Sequence, residues 1–139
     1  MAADDSTRGA VAEDSTDPSA DRVVADLHTH TTVSDGTLRL DEVPAAAREA
    51  GVDWVAVTDH DRIHPGLDAP VVLRDGVRIV RGIELRVEAD HGRLDLLGYA
   101  VEHTDALDAE IERLQADRRE RGAEICRRVE ERLDVDLGV

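Results

Sequence analysis

Apolar and polar positions alternate over residues 23–30: Val23, Ala25 and Leu27 interleave with Val24, Asp26, His28 and His30. A period of two predicts a β-strand. Ser34-Asp35-Gly36 then marks a turn. The pattern changes to a helical one over 41–50, with Asp41 as the candidate N-cap, Pro44 in the first turn, an alanine-rich body and Gly51 as the stop. Residues 53–58, DWVAVT, form an apolar run short enough for a buried strand, and Pro65-Gly66 breaks the chain after it. Val71–Leu73 and Val77–Val80 flank Asp75-Gly76, a hairpin turn pair. Strands are predicted over 77–85 and 93–101, across a turn near Asp90-His91-Gly92. A long helix is predicted from Thr104 or Asp105 to about Leu133. Strand, helix, strand in the first part of the foldable region predicts a parallel βαβ unit and an α/β fold class.

The first 22 residues lack large apolar side chains and are acidic, so a disordered leader is expected over 1–22 and the folded part over 23–139. That leader has neither the basic start nor the apolar stretch of a secretory signal, and no run is long enough to span a membrane. A cytoplasmic location is expected. The formal net charge is −15, the chain has no lysine, and all 17 cationic residues are arginine. Two explanations stand for this balance: adaptation to a salty cytoplasm, or a biased genome encoding an ordinary acidic protein. Either argues against non-specific binding to duplex nucleic acid, which needs a basic face. A phosphorylated substrate would need cations to approach. The single cysteine, Cys126, excludes an intrachain disulfide and a cysteine-built zinc site; it is expected to be an inert thiol.

The candidate chemistry sits at the strand ends. His28 and His30 leave the same face of the first strand near its C-terminal end, where βα proteins build their sites. Asp26 shares that face. A divalent ion would satisfy both imidazoles, although two histidines on an exposed edge would need no ion. Asp35 lies in a turn aimed at the same end, where turn chemistry alone would also explain it. Asp59-His60 ends the second strand, and Glu84 ends the strand that follows in Gly82-Ile83-Glu84. Histidine or carboxylate at each of three strand ends is the strongest feature of the chain. Nitrogen and oxygen donors without thiolate suit Zn, Mn, Fe or Mg.

Taken together, DLHTHTTVSDGTL, VTDHD and GIE followed by LLGY resemble the polymerase-and-histidinol-phosphatase (PHP) superfamily, over most of residues 23–139. The resemblance implies a distorted (β/α)7 TIM-like barrel, of which this chain would hold the N-terminal portion, truncated. It implies two or three divalent metal ions and hydrolysis of phosphomonoesters or of nucleotide and oligonucleotide ends. By position, His28, His30 and Glu84 would hold one ion, Glu84 would bridge to a second, and Asp35 and His60 would hold a third. Many members carry a histidine where this chain has Asp95. That carboxylate is either a substitute ligand or a solvated strand residue. Later strands of the family supply a further histidine and an Asp-x-His pair, so the site is expected to be only partly encoded here. Self-association or a complementing C-terminal half would complete it. An inert metal-binding fragment and a non-enzymatic interaction module are the alternatives.

The long helix carries Leu107, Ile111, Leu114, Ile125 and Val129 on one stripe, with Arg118 and Arg121 between them. If the stripe is buried, these arginines meet a carboxylate or a substrate phosphate; otherwise they snorkel at its edge. Asp59 is expected to orient His60 or another ligand. His64 is expected to be an exposed loop residue, His91 a turn residue, His103 a residue before the helix, and Trp54 part of the core.

Overall fold

The computed structural model describes residues 23–138; the expected leader, residues 1–22, lies outside them. The elements follow the order β1 (Ala25–Thr29), α1 (Val43–Glu49), β2 (Trp54–Val57), β3 (Val71–Arg74), β4 (Val77–Ala89), β5 (Gly92–Tyr99) and α2 (Asp105–Leu133). β1, β2 and β4 run parallel and adjacent, which is the βαβ arrangement expected from the sequence. β3 lies antiparallel on the other side of β4. Among the described residues the sheet is open, with β1 at one edge.

β4 is longer than its apolar pattern predicts. Its first half, from Val77, pairs with β2 and β3. Its second half, Gly82–Ala89, pairs with β5 in a hairpin that turns through Asp90 and His91. The apolar signal fades after Leu85 because Arg86–Ala89 are largely solvated, while backbone pairing continues to Ala89. The β3–β4 hairpin turns at Asp75 (φ 49°) and Gly76 (φ 84°). Two successive positive φ angles match the twist of the flanking strands, and only a residue such as glycine adopts the second without strain.

The core lies between α1 and one face of the sheet. Leu40, Val43 and Ala47 pack against Val55, Val57, Val77 and Ile79, with Leu67 closing the cluster. Val57 and Ile79 are fully buried. α1 begins at Val43, after Glu42 rather than Asp41, and Glu42 provides no side-chain cap. Asp41 is instead drawn away by Arg39, to which it forms an ion pair. Pro44 fits the first turn, where no amide donor is needed.

Leu27 of β1 and Val23 before it are exposed, because no described element covers that edge. The expected core position of Trp54 needs correction. Trp54 is only half-buried, and its ring stacks beneath the Arg78 guanidinium at 5.1 Å instead of entering the core. The apolar stripe of α2 is covered only in part: Leu107, Ile111, Leu114 and Val129 are half-buried. The helix forms where expected, capped by the Thr104 side chain accepting from the Leu107 amide at 3.2 Å. None of its residues is buried, and Ile125 is 62% exposed.

This contrast gives a direct test. Ile79→Ala removes packed methylenes and should cost about 2–5 kcal/mol, whereas Ile125→Ala should change stability by less than about 0.5 kcal/mol. Urea denaturation midpoints of the two variants measure the difference; equal losses would show that α2 is packed in solution.

Candidate metal centre

Parallel pairing of β1, β2 and β4 brings their C-terminal ends together. The alignment continues past β2: the Asp59 carbonyl accepts from the Glu84 amide at 3.2 Å, and the Asp61 amide donates to the Glu84 carbonyl at 2.9 Å. These bonds set His60 directly beside Glu84. Glu84 is only 2% exposed. Its Oε2 lies 3.0 Å from His28 Nε2, 3.2 Å from His30 Nε2 and 3.3 Å from His60 Nδ1. The ring centroids of His30 and His60 are 4.6 Å apart and stacked.

Three ring nitrogens around one oxygen exceed its two lone pairs. Donor atoms about 2.1 Å from a common ion at tetrahedral angles would lie about 3.4 Å apart, which is close to the spacing found. His28, His30 and Glu84 form one group able to hold an ion, and His30, Asp35 and His60 form another. In the second group His30 Nδ1 is 3.5 Å from Asp35 Oδ1, and His60 Nε2 is 3.4 Å from Asp35 Oδ2. His30 Nδ1 is buried with no hydrogen-bond partner. An orphaned imidazole nitrogen facing a carboxylate at that distance fits a divalent cation between them.

Asp35 reaches this position because Asp59 holds the loop that carries it. The fully buried Asp59 accepts from the Thr31 amide and the Thr31 hydroxyl, each at 2.8 Å, and from the Ser34 hydroxyl at 2.6 Å. Its contacts therefore orient the Asp35 turn rather than the His60 ring. Gly36 closes the same turn. A Cβ there would lie 2.0 Å from the His30 carbonyl oxygen, so no other residue fits without moving His30.

Asp95 stays outside both groups. It forms a paired contact with Arg86 across the β4–β5 hairpin, at 2.8 and 3.2 Å. The Arg86 guanidinium holds its carboxyl below the usual range. Asp26 is exposed and accepts from the His28 amide at 3.2 Å. His64, expected in solvent, is buried; its Nδ1 accepts from the Gly66 amide at 2.9 Å, and burial lowers its pKa. His103 pairs with Asp108 at the start of α2.

Asp61 escaped the sequence reading. It is 4% exposed, adopts a left-handed conformation (φ 48°), and forms an ion pair with Arg118. Its carbonyl accepts from Gln115 Nε2 at 2.9 Å, which ties α2 to the site. The signal available was the third polar residue in Asp59-His60-Asp61, since aspartate tolerates that conformation. Arg118 thus meets a carboxylate although the helix stripe it lies on is not buried. Arg121 forms no ion pair among the described residues and lines a neighbouring cleft.

Residues 26–129 match the family described as PHP domain. The chain belongs to the PHP domain family. It is 31% identical over 117 residues to the 5'-3' exoribonuclease Rnm of Escherichia coli (strain K12), covering 81% of this chain and 38% of that protein. It is 39% identical over 84 residues to the phosphoribosyl 1,2-cyclic phosphate 1,2-diphosphodiesterase of Eggerthella lenta, covering 58% of this chain and 32% of that protein. A 5'-3' exoribonuclease of Haemophilus influenzae is 29% identical over 107 residues, covering 76% of this chain and 39% of that protein. The chain spans between 32% and 39% of the length of these curated relatives. Among the described residues, no helix is long and apolar enough to cross a membrane.

Two glycines with opposite surroundings test the tight turn of this PHP domain. Gly36→Ala should destabilise by about 1–3 kcal/mol, because the new methyl displaces the His30 backbone. Gly122→Ala, in the open middle of α2, should stabilise by about 0.5–1 kcal/mol. Denaturant midpoints of both variants should move in opposite directions; a neutral Gly36→Ala would remove the argument for a compact Asp35 turn.

Proposed function

We propose that this PHP domain is the metal-holding part of a phosphoesterase that hydrolyses phosphomonoesters or the ends of nucleotides and oligonucleotides. One observation carries the reading: five donor side chains from four segments converge in two groups that share His30. His28, His30 and Glu84 would hold one ion. Asp35 and His60, with His30 between the groups, would hold another. Zn, Mn, Fe and Mg all accept this donor set. Bound divalent ions supply a nucleophilic water at neutral pH and positive charge against the phosphoryl oxygens.

The protein residues divide the remaining work. Glu84, buried and fixed by backbone pairing on both sides, would hold the ion that His28 and His30 share. Asp59 keeps the Asp35 turn in place through Thr31 and Ser34. A cavity of about 240 Å³ opens beside Asp35 and His60 and is lined by Arg118. It offers room for a phosphate next to the donor groups. Arg118 would hold a non-bridging oxygen there while exchanging part of its contact with Asp61, and Arg121 would contact substrate further along α2. The names of the relatives support this class, since the ones matched are an exoribonuclease in two organisms and a cyclic-phosphate diphosphodiesterase.

The five side chains give an ion three protein ligands at most, since a neutral His30 ring serves one ion at a time, and three are fewer than a closed four-coordinate site needs. A second copy of the chain or a complementing segment would complete the coordination. Without that completion, the alternative is a domain that binds metal without turnover.

The test is calorimetric titration of Mn into the full chain, together with hydrolysis of a generic aryl phosphate. Mn uptake should fall by at least about tenfold in affinity for His28→Ala and Glu84→Ala, and any turnover should fall by at least about 100-fold in the same variants. Uptake without turnover would favour the inert alternative. No uptake by the unaltered chain would defeat the reading.

A further inference from the structure

The β4–β5 hairpin carries a free edge. β5 (Gly92–Tyr99) pairs with β4 on one side, and among the described residues no strand pairs with its other side. Which backbone groups face outward follows from Glu84. Its amide and carbonyl bond to Asp59 and Asp61, away from β5. Direction alternates along a strand, so Leu85 and Val87 turn theirs toward Leu96 and Leu94, the residues opposite them. Arg93, Asp95 and Leu97 therefore present their amides and carbonyls at the outer edge. A long free edge is usually guarded by lysine, proline or a run of like charge that repels another strand. β5 has neither lysine nor proline, and its two charged residues have opposite signs. The faces of the hairpin differ. On one, Arg86 pairs with Asp95 at 2.8 Å and Arg93 with Glu88 at 4.0 Å. On the other, Leu94 and Leu96 are 59% and 56% exposed, opposite Val87 and Leu85.

We propose that the outer edge of β5 pairs antiparallel with the same edge of a second copy of this chain, about a two-fold axis at Leu94. Strand pairing joins residues whose backbone groups both face outward, so the bonded pairs form among Arg93, Asp95 and Leu97. Charge then selects the register. With the axis at Asp95 or at Arg93, that residue meets its own copy and like charges oppose each other. With the axis at Leu94, Arg93 faces the partner's Asp95, and Asp95 faces the partner's Arg93. The row across four strands then runs Glu88, Arg93, the partner's Asp95 and the partner's Arg86, alternating in sign at every step. The two-fold repeats that row once. On the other face, Leu94 meets the partner's Leu94 and lies diagonal to the partner's Leu96, so each copy shields part of the other's exposed leucines. Moving the axis to Leu96 would set Asp95 opposite the partner's Leu97 and leave the charges unmatched. Two-fold pairing uses both edges, so assembly stops at two copies. None of these residues is a donor in either metal group, and the inference stands apart from the phosphoesterase reading.

Sedimentation velocity of the full chain, from about 1 to about 100 µM, tests the pairing. The unaltered chain should pass from monomer to dimer over that range. Arg93→Asp and Asp95→Arg should each weaken dimerisation at least about tenfold, since the axis repeats every like-charge contact. Mixing the two variants in equal amounts should restore the dimer, because each supplies the charge that the other lacks. Neither misfolding nor diffuse charge produces that rescue. The register has a separate test in oxidative crosslinking. Leu94→Cys in a Cys126→Ser background should form a disulfide-linked dimer, since a non-hydrogen-bonded antiparallel pair sets its Cα atoms about 4.5 Å apart. Leu96→Cys in the same background should remain a thiol. A chain that stays monomeric at about 100 µM would overturn the proposal. So would a dimer indifferent to both charge variants, a mixture that fails to reassociate, or crosslinking through Leu96→Cys as strong as through Leu94→Cys.

Discussion

A buried carboxylate is costly unless something compensates its charge, and the arrangement around Glu84 follows from that constraint. Its backbone is fixed by hydrogen bonds to Asp59 and Asp61, and its side chain is placed under three imidazoles. Those imidazoles come from β1 and from the residues after β2, so their convergence requires the parallel order β1-β2-β4. The order in turn rests on the α1 crossover and the apolar contacts of Val43 and Ala47 with Val55 and Ile79. Core packing and site chemistry are therefore one argument. Shifting β4 by one residue against β2 would turn Glu84 away from the histidines and expose Ile79.

The loops add precision that the strands cannot. Asp59 satisfies its burial with three donors from the loop after β1 and so fixes the turn that presents Asp35. Gly36 allows that turn to lie against the His30 backbone. Asp61 performs a comparable task toward α2, through Arg118 and Gln115. The helix otherwise has little purchase on the sheet, since none of its residues is buried. Its position beside the centre thus depends on polar contacts, which leave it more adjustable than a packed helix.

Much of this was legible in the sequence because strand ends carry their own signal. An apolar run that stops on a histidine or carboxylate points that residue out of the core, and three such runs identified His28, His30, His60 and Glu84. The βαβ order and the Asp75-Gly76 hairpin were readable for similar local reasons. Burial on α2 was not. Leu107, Ile111, Leu114, Ile125 and Val129 share a helical face, but periodicity does not say whether another element covers it. His64 and Trp54 were misjudged because a single residue type is a weak guide to exposure. The role of Asp59 depends on a long-range contact with Thr31 and Ser34, and nothing local to Asp59 announces it. Asp95 was a candidate by alignment of motifs, yet its cross-strand neighbour Arg86 offers a nearer partner.

The central claim is that imidazoles and carboxylates from β1, its following turn, the end of β2 and β4 enclose divalent cations. Anomalous scattering from crystals of the full chain soaked in Mn tests it most directly. The account predicts one peak among His28, His30 and Glu84 and a second beside Asp35 and His60. Peaks confined to surface carboxylates, with both groups empty, would contradict it.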